Sequence, residues 1–312
     1  MTNKYGAVAL LVLLVSAGGS LGGCGSDDAS SGSSIAATTG IWAHVTEQVA
    51  GDDATVEQII PDSSSPHEFQ LSAEDRAGIE DSVLLVYNGE GLEAGIPVDE
   101  IDAPKFAMTE HVGELRPFEE TGDHAEESDE HGGEDPHVWM DPTRVVMALP
   151  ALADALAEAD PEHADGYRRR AAQYAAELQA LDAEIKRTLE ALPPDEGKLV
   201  TSHDALGYFA DRYGFRVIAT PFPASGPEAE ASAQTIAEVQ GAIEGSGVKA
   251  VFAEETDDPE VLRQIAEDTG VHIEEGLLVE SPGDAGGYVE MLRRDAELIR
   301  DGLTGQTAGG PG

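Results

Sequence analysis

The sequence is poor in cysteine, since Cys24 is the only one among 312 residues. A single cysteine excludes an intrachain disulfide and every zinc motif of the Cys-x-x-Cys type. The local zinc motif His-Glu-x-x-His is absent as well. Any metal site in this chain therefore has to be assembled from residues that lie far apart in the sequence.

Basic residues are also scarce: 18 Lys and Arg stand against 61 Asp and Glu, which gives a formal net charge of −43. Such a surface repels phosphates and anionic lipid headgroups, which argues against nucleic acid or direct headgroup binding. It is compatible with attraction of cations, or with general solubility. An apolar content of 41% and a charged content of 25% are ordinary for a folded protein of one or two domains.

Long apolar runs are missing, and the one apolar segment near the N-terminus, residues 7–15, is too short for a stable transmembrane helix. It follows Lys4 and precedes Leu21-Gly22-Gly23-Cys24, as expected for a secretory signal. The tetrapeptide resembles the lipobox of bacterial lipoproteins, which implies cleavage before Cys24 and lipid attachment to its sulfur. We therefore predict a signal peptide over residues 1–23 and a flexible, lipid-anchored tether over residues 24–34.

From residue 35 onward, short β-branched runs alternate with helical patterns, which indicates an α/β fold with mainly parallel sheets. We predict a first lobe over residues 35–159, a second lobe over 195–303 and a loose tail over 304–312. The strands expected in these lobes are residues 35–38, 55–60, 82–87, 198–201, 217–219, 248–253, 271–273 and 277–279.

Residues 160–194 carry a different pattern, a single helix between Asp160-Pro161 and Pro193-Pro194. Its apolar stripe recurs at steps of three and four residues and consists of Tyr167, Ala171, Tyr174, Leu178, Leu181, Ile185, Leu189 and Leu192. A stripe of this length is typical of a coiled-coil dimer or of a helix that bridges two lobes. The position between two α/β segments favours the bridge, and hence a monomer.

An acidic loop is predicted over residues 118–135, which contain many carboxylates, His124 and His131 but almost nothing apolar. It leads into His137, which lies between two Asp-Pro turns. Because proline fixes its own φ and keeps the preceding residue out of the helical region, this histidine is held on a stiff, non-helical segment. Such a segment suits a ligand as well as a surface turn.

Three of the nine histidines, His67, His137 and His203, lie in loops or directly after predicted strands, and Glu280 follows the strand that ends at Val279. Ligands of open α/β sheets gather outside the carboxyl ends of the strands. Three imidazoles and one carboxylate make a plausible tetrahedral zinc shell. Their spacing alone is weak evidence, because no local motif links them.

Several segments in order along the chain resemble the substrate-binding lipoproteins of zinc and manganese ABC transporters. They are Thr38-Thr39-Gly40-Ile41-Trp42, Ser65-Pro66-His67-Glu68-Phe69, Asp135-Pro136-His137-Val138-Trp139-Met140-Asp141-Pro142, Ser202-His203-Asp204-Ala205-Leu206-Gly207-Tyr208 and Val279-Glu280-Ser281. The resemblance implies two α/β lobes joined by a long rigid helix, with one metal in the interlobe cleft. It further implies delivery of that metal to a membrane permease with a cytoplasmic ATPase.

Carried over by position, the resemblance implies that His67 and His137 are first-lobe ligands and that His203 and Glu280 are second-lobe ligands. An imidazole at His203 favours zinc over manganese, for which the family commonly has a carboxylate there. Glu280 departs from the aspartate that is usual in the family. The loop residues His124 and His131 resemble the His-rich loop of zinc receptors.

Two other functions are compatible with a secreted lipoprotein. A zinc hydrolase requires a general base, for which Glu68 is the obvious candidate. A surface adhesin or structural lipoprotein requires no metal at all. The resemblance favours an extracytoplasmic zinc receptor, anchored to the cell membrane through Cys24.

Overall fold

The first lobe is built on a four-stranded parallel sheet. A computed structural model describes residues 33–117, 133–190, 192–193, 196–222, 231–256 and 258–305. In the order β2-β1-β3-β4, the sheet consists of β1 (Ser33–Ala37), β2 (Ala54–Gln58), β3 (Leu84–Tyr87) and β4 (Lys105–Ala107). The first three match predicted strands, whereas β4, only three residues long, was not predicted.

Two helices of this lobe begin at the capping residues that the sequence indicates. The side chain of Thr39 accepts a hydrogen bond from the backbone N–H of Trp42 at the start of α1 (Gly40–Ala50). Ser72 and Asp75 form a reciprocal capping box on α2 (Ala73–Asp81). Each cap satisfies backbone donors that a helix start leaves without partners.

Two long helices follow the sheet of the first lobe, where the sequence predicted one. The predicted helix over residues 160–194 is α4 (Ala164–Leu189), which a 3-10 turn (Pro161–His163) precedes. The unpredicted helix is α3 (Pro142–Ala159), which begins at the N-cap Asp141 and packs against α4. The stripe of α4 from Tyr167 to Leu189 is buried inside this single chain, in contacts with α1, α3 and the last helix, so a coiled-coil seam is excluded.

The second lobe holds two parallel strand pairs. Its strands are β5 (Lys198–Val200), β6 (Arg216–Ala219), β7 (Ala250–Glu254) and β8 (His272–Leu277). β5 pairs with β6 and β7 with β8, and one parallel bridge from Thr201 to Phe252 joins the pairs. The helices are α5 (Gly207–Tyr213), α6 (Ala233–Ser246), α7 (Glu260–Thr269) and α8 (Tyr288–Thr304).

The prediction of two short strands over 271–273 and 277–279 is wrong. Residues 272–277 form the single strand β8, whose pairing with β7 shifts register between Ala253 and Glu254. Gly276 adopts a φ of +89° opposite that shift, a conformation that glycine takes without strain. The glycine therefore makes a bulge within one strand, where the sequence pattern indicated a break between two.

The largest apolar core is continuous across both lobes and the long helices. It includes Trp42 and Trp139 from the first half of the chain and Phe252 and Leu292 from the second. The described residues between 33 and 305 belong to one compact unit, and the lobe boundaries stay a prediction from the sequence. None of the helices among the described residues is long and apolar enough to cross a membrane.

Candidate metal centre

Three imidazoles from distant parts of the chain meet at one point. One ring nitrogen from each of His67, His137 and His203 lies within 4.8 Å of the other two. The Nε2 atoms of His67 and His137 are 3.3 Å apart. Oε1 of Glu280 lies 3.4 Å from Nε2 of His67 and 3.7 Å from Nε2 of His203. The structure thus brings together all four residues that the sequence singled out.

The remaining predicted site residues, Cys24, His124 and His131, lie outside the described residues. Four other histidines have ordinary surroundings. His44, His163 and His272 lie near the carboxylates of Glu47, Asp160 and Glu274 respectively, and His111 stacks on Phe106 with ring centroids 4.6 Å apart. These contacts are those of histidines with packing or surface roles.

Three of the four converging side chains come after the carboxyl ends of strands. His67 lies in a turn after β2, in which the backbone N–H groups of Glu68 and Phe69 donate to the carbonyl of Ser65. His203 follows β5 and Glu280 follows β8. This placement is the one expected for ligands of parallel α/β sheets.

His137 is held by Asp135, a residue whose role the sequence did not reveal. Oδ1 of Asp135 accepts a hydrogen bond from the backbone N–H of His137 at 3.0 Å and lies 2.8 Å from its Nδ1. A proton on Nδ1 is thereby favoured, which leaves the lone pair of Nε2 for a metal. Oδ2 of Asp135 in turn lies 3.6 Å from Nη1 of Arg116.

Glu254 holds the backbone and the ring of His203 in the way that Asp135 holds those of His137. Its Oε1 accepts from the backbone N–H of His203 at 3.1 Å, and its Oε2 lies 2.7 Å from Nδ1 of the ring. Both carboxylates are buried. Their sequence signals were present but weak, since Asp135 precedes Pro136 in the His137 segment and Glu254 directly follows the strand predicted over residues 248–253.

The backbone around His137 is also tied to the second lobe. Nε1 of Trp139 donates to the carbonyl of Val279 at 2.7 Å, and the hydroxyl of Tyr288 donates to the carbonyl of Trp139. Trp139 is two residues after His137, and Val279 is adjacent to Glu280. One buried hydrogen bond therefore links the segments that carry these two ligand candidates.

Burial favours the neutral forms of His67 and His137. Desolvation, with further effects from the neighbouring imidazoles His137 and His203, lowers the pKa of His67 to about 2. Desolvation, followed by the electrostatic effect of a nearby imidazole at His203, lowers the pKa of His137 well below its ordinary value. Burial raises the pKa of Asp135 to about 6, so this carboxyl is still ionised at neutral pH. Neutral imidazoles are the form that binds metal ions.

The carboxylate of Glu280 is buried and bonded through both oxygens. The hydroxyl of Ser65 donates to Oε1 at 3.2 Å, and the hydroxyl of Thr256 donates to Oε2 at 3.5 Å. Glu280 is 4% exposed. Three neutral nitrogens and one carboxylate oxygen make a donor set suited to a borderline divalent ion such as zinc.

Comparison with known proteins agrees with this chemistry. A family model described as "Zinc-uptake complex component A periplasmic" matches residues 35–302. The high-affinity zinc uptake system protein ZnuA of Bacillus subtilis is 28% identical over 319 residues, covering 95% of this chain and 96% of that protein. The manganese-binding lipoprotein MntA of Halalkalibacterium halodurans is 26% identical, with coverage of 96% and 98%.

The zinc-binding lipoprotein AdcA of Streptococcus pneumoniae is 30% identical over 268 residues, which cover 82% of this chain. The chain spans about half the length of AdcA, since the match covers 52% of that protein.

Solved structures share the fold over nearly their whole length. The periplasmic zinc binding protein TroA of Treponema pallidum matches with a TM-score of 0.76 and 25% identity, covering 87% of this chain and 99% of that one. The laminin binding protein of Streptococcus agalactiae matches with a TM-score of 0.73 and 26% identity, with coverage of 87% and 100%. The chain therefore belongs to the zinc-uptake component A family, whose relatives include metal ABC transporter substrate-binding lipoproteins.

Proposed function

We propose that this protein is an extracytoplasmic receptor that captures zinc and delivers it to a membrane ABC permease driven by a cytoplasmic ATPase. The observation that carries the proposal is the convergence of His67, His137 and His203 within 4.8 Å. Glu280 is the fourth ligand in this proposal, because its Oε1 lies 3.4 Å from His67. The zinc ion is the transported substrate.

Zinc is preferred to manganese in this proposal because the donor set is rich in nitrogen. Imidazole suits zinc, whereas manganese favours carboxylate, carbonyl and water oxygens. His203 supplies the third imidazole, and Glu254 fixes its orientation. Manganese is the second candidate, since MntA is a manganese-binding relative.

Anchoring at the outer face of the cell membrane through Cys24 is part of the same proposal. It is supported by the lipobox-like sequence before Cys24 and by relatives that are named lipoproteins. Glu68, the base that a zinc hydrolase would use, has an exposed side chain and gives such an activity no support.

Zinc titration of the purified protein tests the proposal. We expect isothermal calorimetry at neutral pH, in a buffer without chelators, to show one zinc ion bound per chain. Free zinc at 100 times the Kd should add about 2.7 kcal/mol to the free energy of unfolding and raise the Tm, with a smaller effect of manganese.

A matched pair of variants identifies the site. His137→Ala should abolish most of the zinc-induced rise in Tm, whereas His44→Ala, at a partly exposed histidine, should keep it. Absence of both binding heat and a Tm shift in the unmodified protein would refute the function. Equal loss in the two variants would refute the site.

A further inference from the structure

The carboxylate of Glu280 accepts hydrogen bonds from residues that follow strands of both predicted lobes. Ser65 from the first lobe donates to Oε1, and Thr256 from the second lobe donates to Oε2. We propose that these two hydroxyls restrict Glu280 to binding metal through one oxygen, and thereby set the preference of the site for a four-coordinate ion. This inference rests on the proposed metal-binding function and names two further specificity-determining residues.

The geometry separates the two oxygens of Glu280. Oε1 is the oxygen that lies among the imidazoles, 3.4 Å from Nε2 of His67 and 3.7 Å from Nε2 of His203. Oε2 is the oxygen bonded by Thr256, which follows β7 in the second lobe. Rotation of the carboxylate to bring both oxygens toward a metal ion would break or lengthen both hydroxyl hydrogen bonds.

One-oxygen binding matters because it decides the coordination number. Three imidazole nitrogens and one oxygen give four donors, the tetrahedral arrangement that zinc adopts most readily. Carboxylates also bind metals through both oxygens, as they do around calcium. A second oxygen from Glu280 would give five donors and more oxygen character, which favours manganese relative to zinc. The hydroxyls therefore act on selectivity through the carboxylate.

The role of the Ser65 hydroxyl is separable from that of the Ser65 backbone. The carbonyl of Ser65 accepts the N–H groups of Glu68 and Phe69 and so closes the turn that carries His67. Alanine at position 65 keeps this carbonyl and removes only the hydroxyl. Valine at position 256 likewise keeps the branched shape of threonine and removes only the donor.

Cobalt(II) is the probe for the test, because its visible absorption is strong in tetrahedral sites and weaker at higher coordination number. The protein and its Ser65→Ala, Thr256→Val and double variants are loaded with cobalt, and their Kd values for zinc and manganese are measured. We expect the double variant to show weaker visible absorption per bound cobalt. We also expect its ratio of manganese Kd to zinc Kd to fall about ten-fold, within the range found for residues that support metal ligands.

Ser63→Ala is the matched control, because Ser63 is an exposed serine on the same loop. Thr256→Ser, which keeps a hydroxyl at this position, should show the cobalt spectrum and the Kd ratio of the unmodified protein. An unchanged cobalt spectrum and Kd ratio in both single variants would overturn the inference, even if the double variant does not fold. Failure of the unmodified protein to bind any of the three metals would instead overturn the proposed function.

Discussion

The segments that carry His137 and His67 belong to the same lobe but are built differently. His137 has a fully buried side chain, and its segment bonds to other elements through Asp135, Pro136 and Trp139. The side chain of His67 is 10% exposed, and its turn closes on its own backbone at Ser65. One segment is fixed by the surrounding fold, while the other is fixed mainly by itself.

This difference between the two segments implies that His137 and His67 would act differently as ligands in the proposed site. Because Asp135 orients the ring of His137 in the metal-free protein, we expect His137 to be the fixed ligand of the proposed site. We expect His67, which reaches the site from a loop, to be the more adaptable ligand. A binding site that combines a fixed and an adaptable ligand can keep its geometry and still admit the ion.

Replacement of His137 should have the largest effect. The binding free energy of zinc at a four-ligand site is about 10–16 kcal/mol, so loss of one ligand should weaken zinc binding by at least about 100-fold. Competition with a chromophoric chelator measures the Kd for zinc. His137→Ala also leaves buried Asp135 without its imidazole partner. The metal-free protein should therefore lose about 1–3 kcal/mol of unfolding free energy in urea titrations.

His67→Ala is the comparison variant for that experiment. It should weaken zinc binding but lower the unfolding free energy of the metal-free protein less than His137→Ala does, because Glu280, the buried carboxylate beside His67, keeps its hydrogen bonds from Ser65 and Thr256. Equal destabilisation by the two replacements would show that the segments are not built differently.

Asp135→Asn should give the next largest effect, a 10- to 100-fold loss of zinc affinity, because the amide no longer favours a proton on Nδ1 of His137. Calorimetric titration with zinc measures it. Asp211→Asn is the control, since Asp211 contacts the same Arg116 but has a side chain that is 68% exposed. An unchanged zinc affinity of the Asp135→Asn protein would show that Asp135 does not orient His137 for metal binding.

Acid should destabilise the metal-free protein through His67. The pKa of His67 is about 2 in the folded state and 6.5 as the ordinary value, so between these pH values the unfolded chain binds a proton that the folded chain does not. The free energy of unfolding should consequently fall as the pH is lowered from 6.5 to 5, by up to about 1.4 kcal/mol per pH unit.

Asp135 opposes this trend, because burial raises its pKa to about 6 and the folded chain takes up its proton first as the pH falls. Urea unfolding in the presence of a chelator at pH 6.5 and at pH 5 measures the sum of these effects and of the lowered pKa of His137, which acts in the same direction as that of His67. His67→Gln should show a shallower loss than the unmodified protein. Identical pH slopes would exclude His67 as the source.

The smallest effect is expected from the acidic loop. His124→Ala and His131→Ala should change the Kd for zinc by less than about two-fold, since ligands outside the central set add little to a four-ligand site. The measurement is the same calorimetric titration used for His137→Ala. A loss of zinc affinity comparable to that of His137→Ala would indicate that the loop histidines are themselves zinc ligands.

The sequence was sufficient to predict four ligand candidates, because each follows a predicted strand or an Asp-Pro turn. Asp135 and Glu254 could not be distinguished in the same way among 61 acidic residues. What sets them apart is burial and the direction of the side chain, and both depend on tertiary packing. Support residues of a site are therefore harder to find than its ligands.

Helix α3 shows a second limit of prediction from the sequence. Its buried residues Val145, Leu149, Leu152 and Leu156 follow helical spacing, but Pro150 lies within the same stretch. Proline normally ends or kinks a helix because it lacks an N–H donor. Here Pro150 is exposed, and burial of the opposite face against α4 outweighs the missing hydrogen bond.

The Trp139–Val279 hydrogen bond affects the path by which an ion leaves. Because this bond joins the backbone next to Glu280 to the indole of Trp139, two residues after His137, the two segments separate only if a buried hydrogen bond breaks, at about 1–3 kcal/mol. The turn of His67 is joined to Glu280 by the hydroxyl of Ser65, in a longer and only partly buried hydrogen bond of 3.2 Å. In the proposed site, we therefore expect an ion to leave most easily on the His67 side, with His137 and Glu280 as the last ligands to lose it.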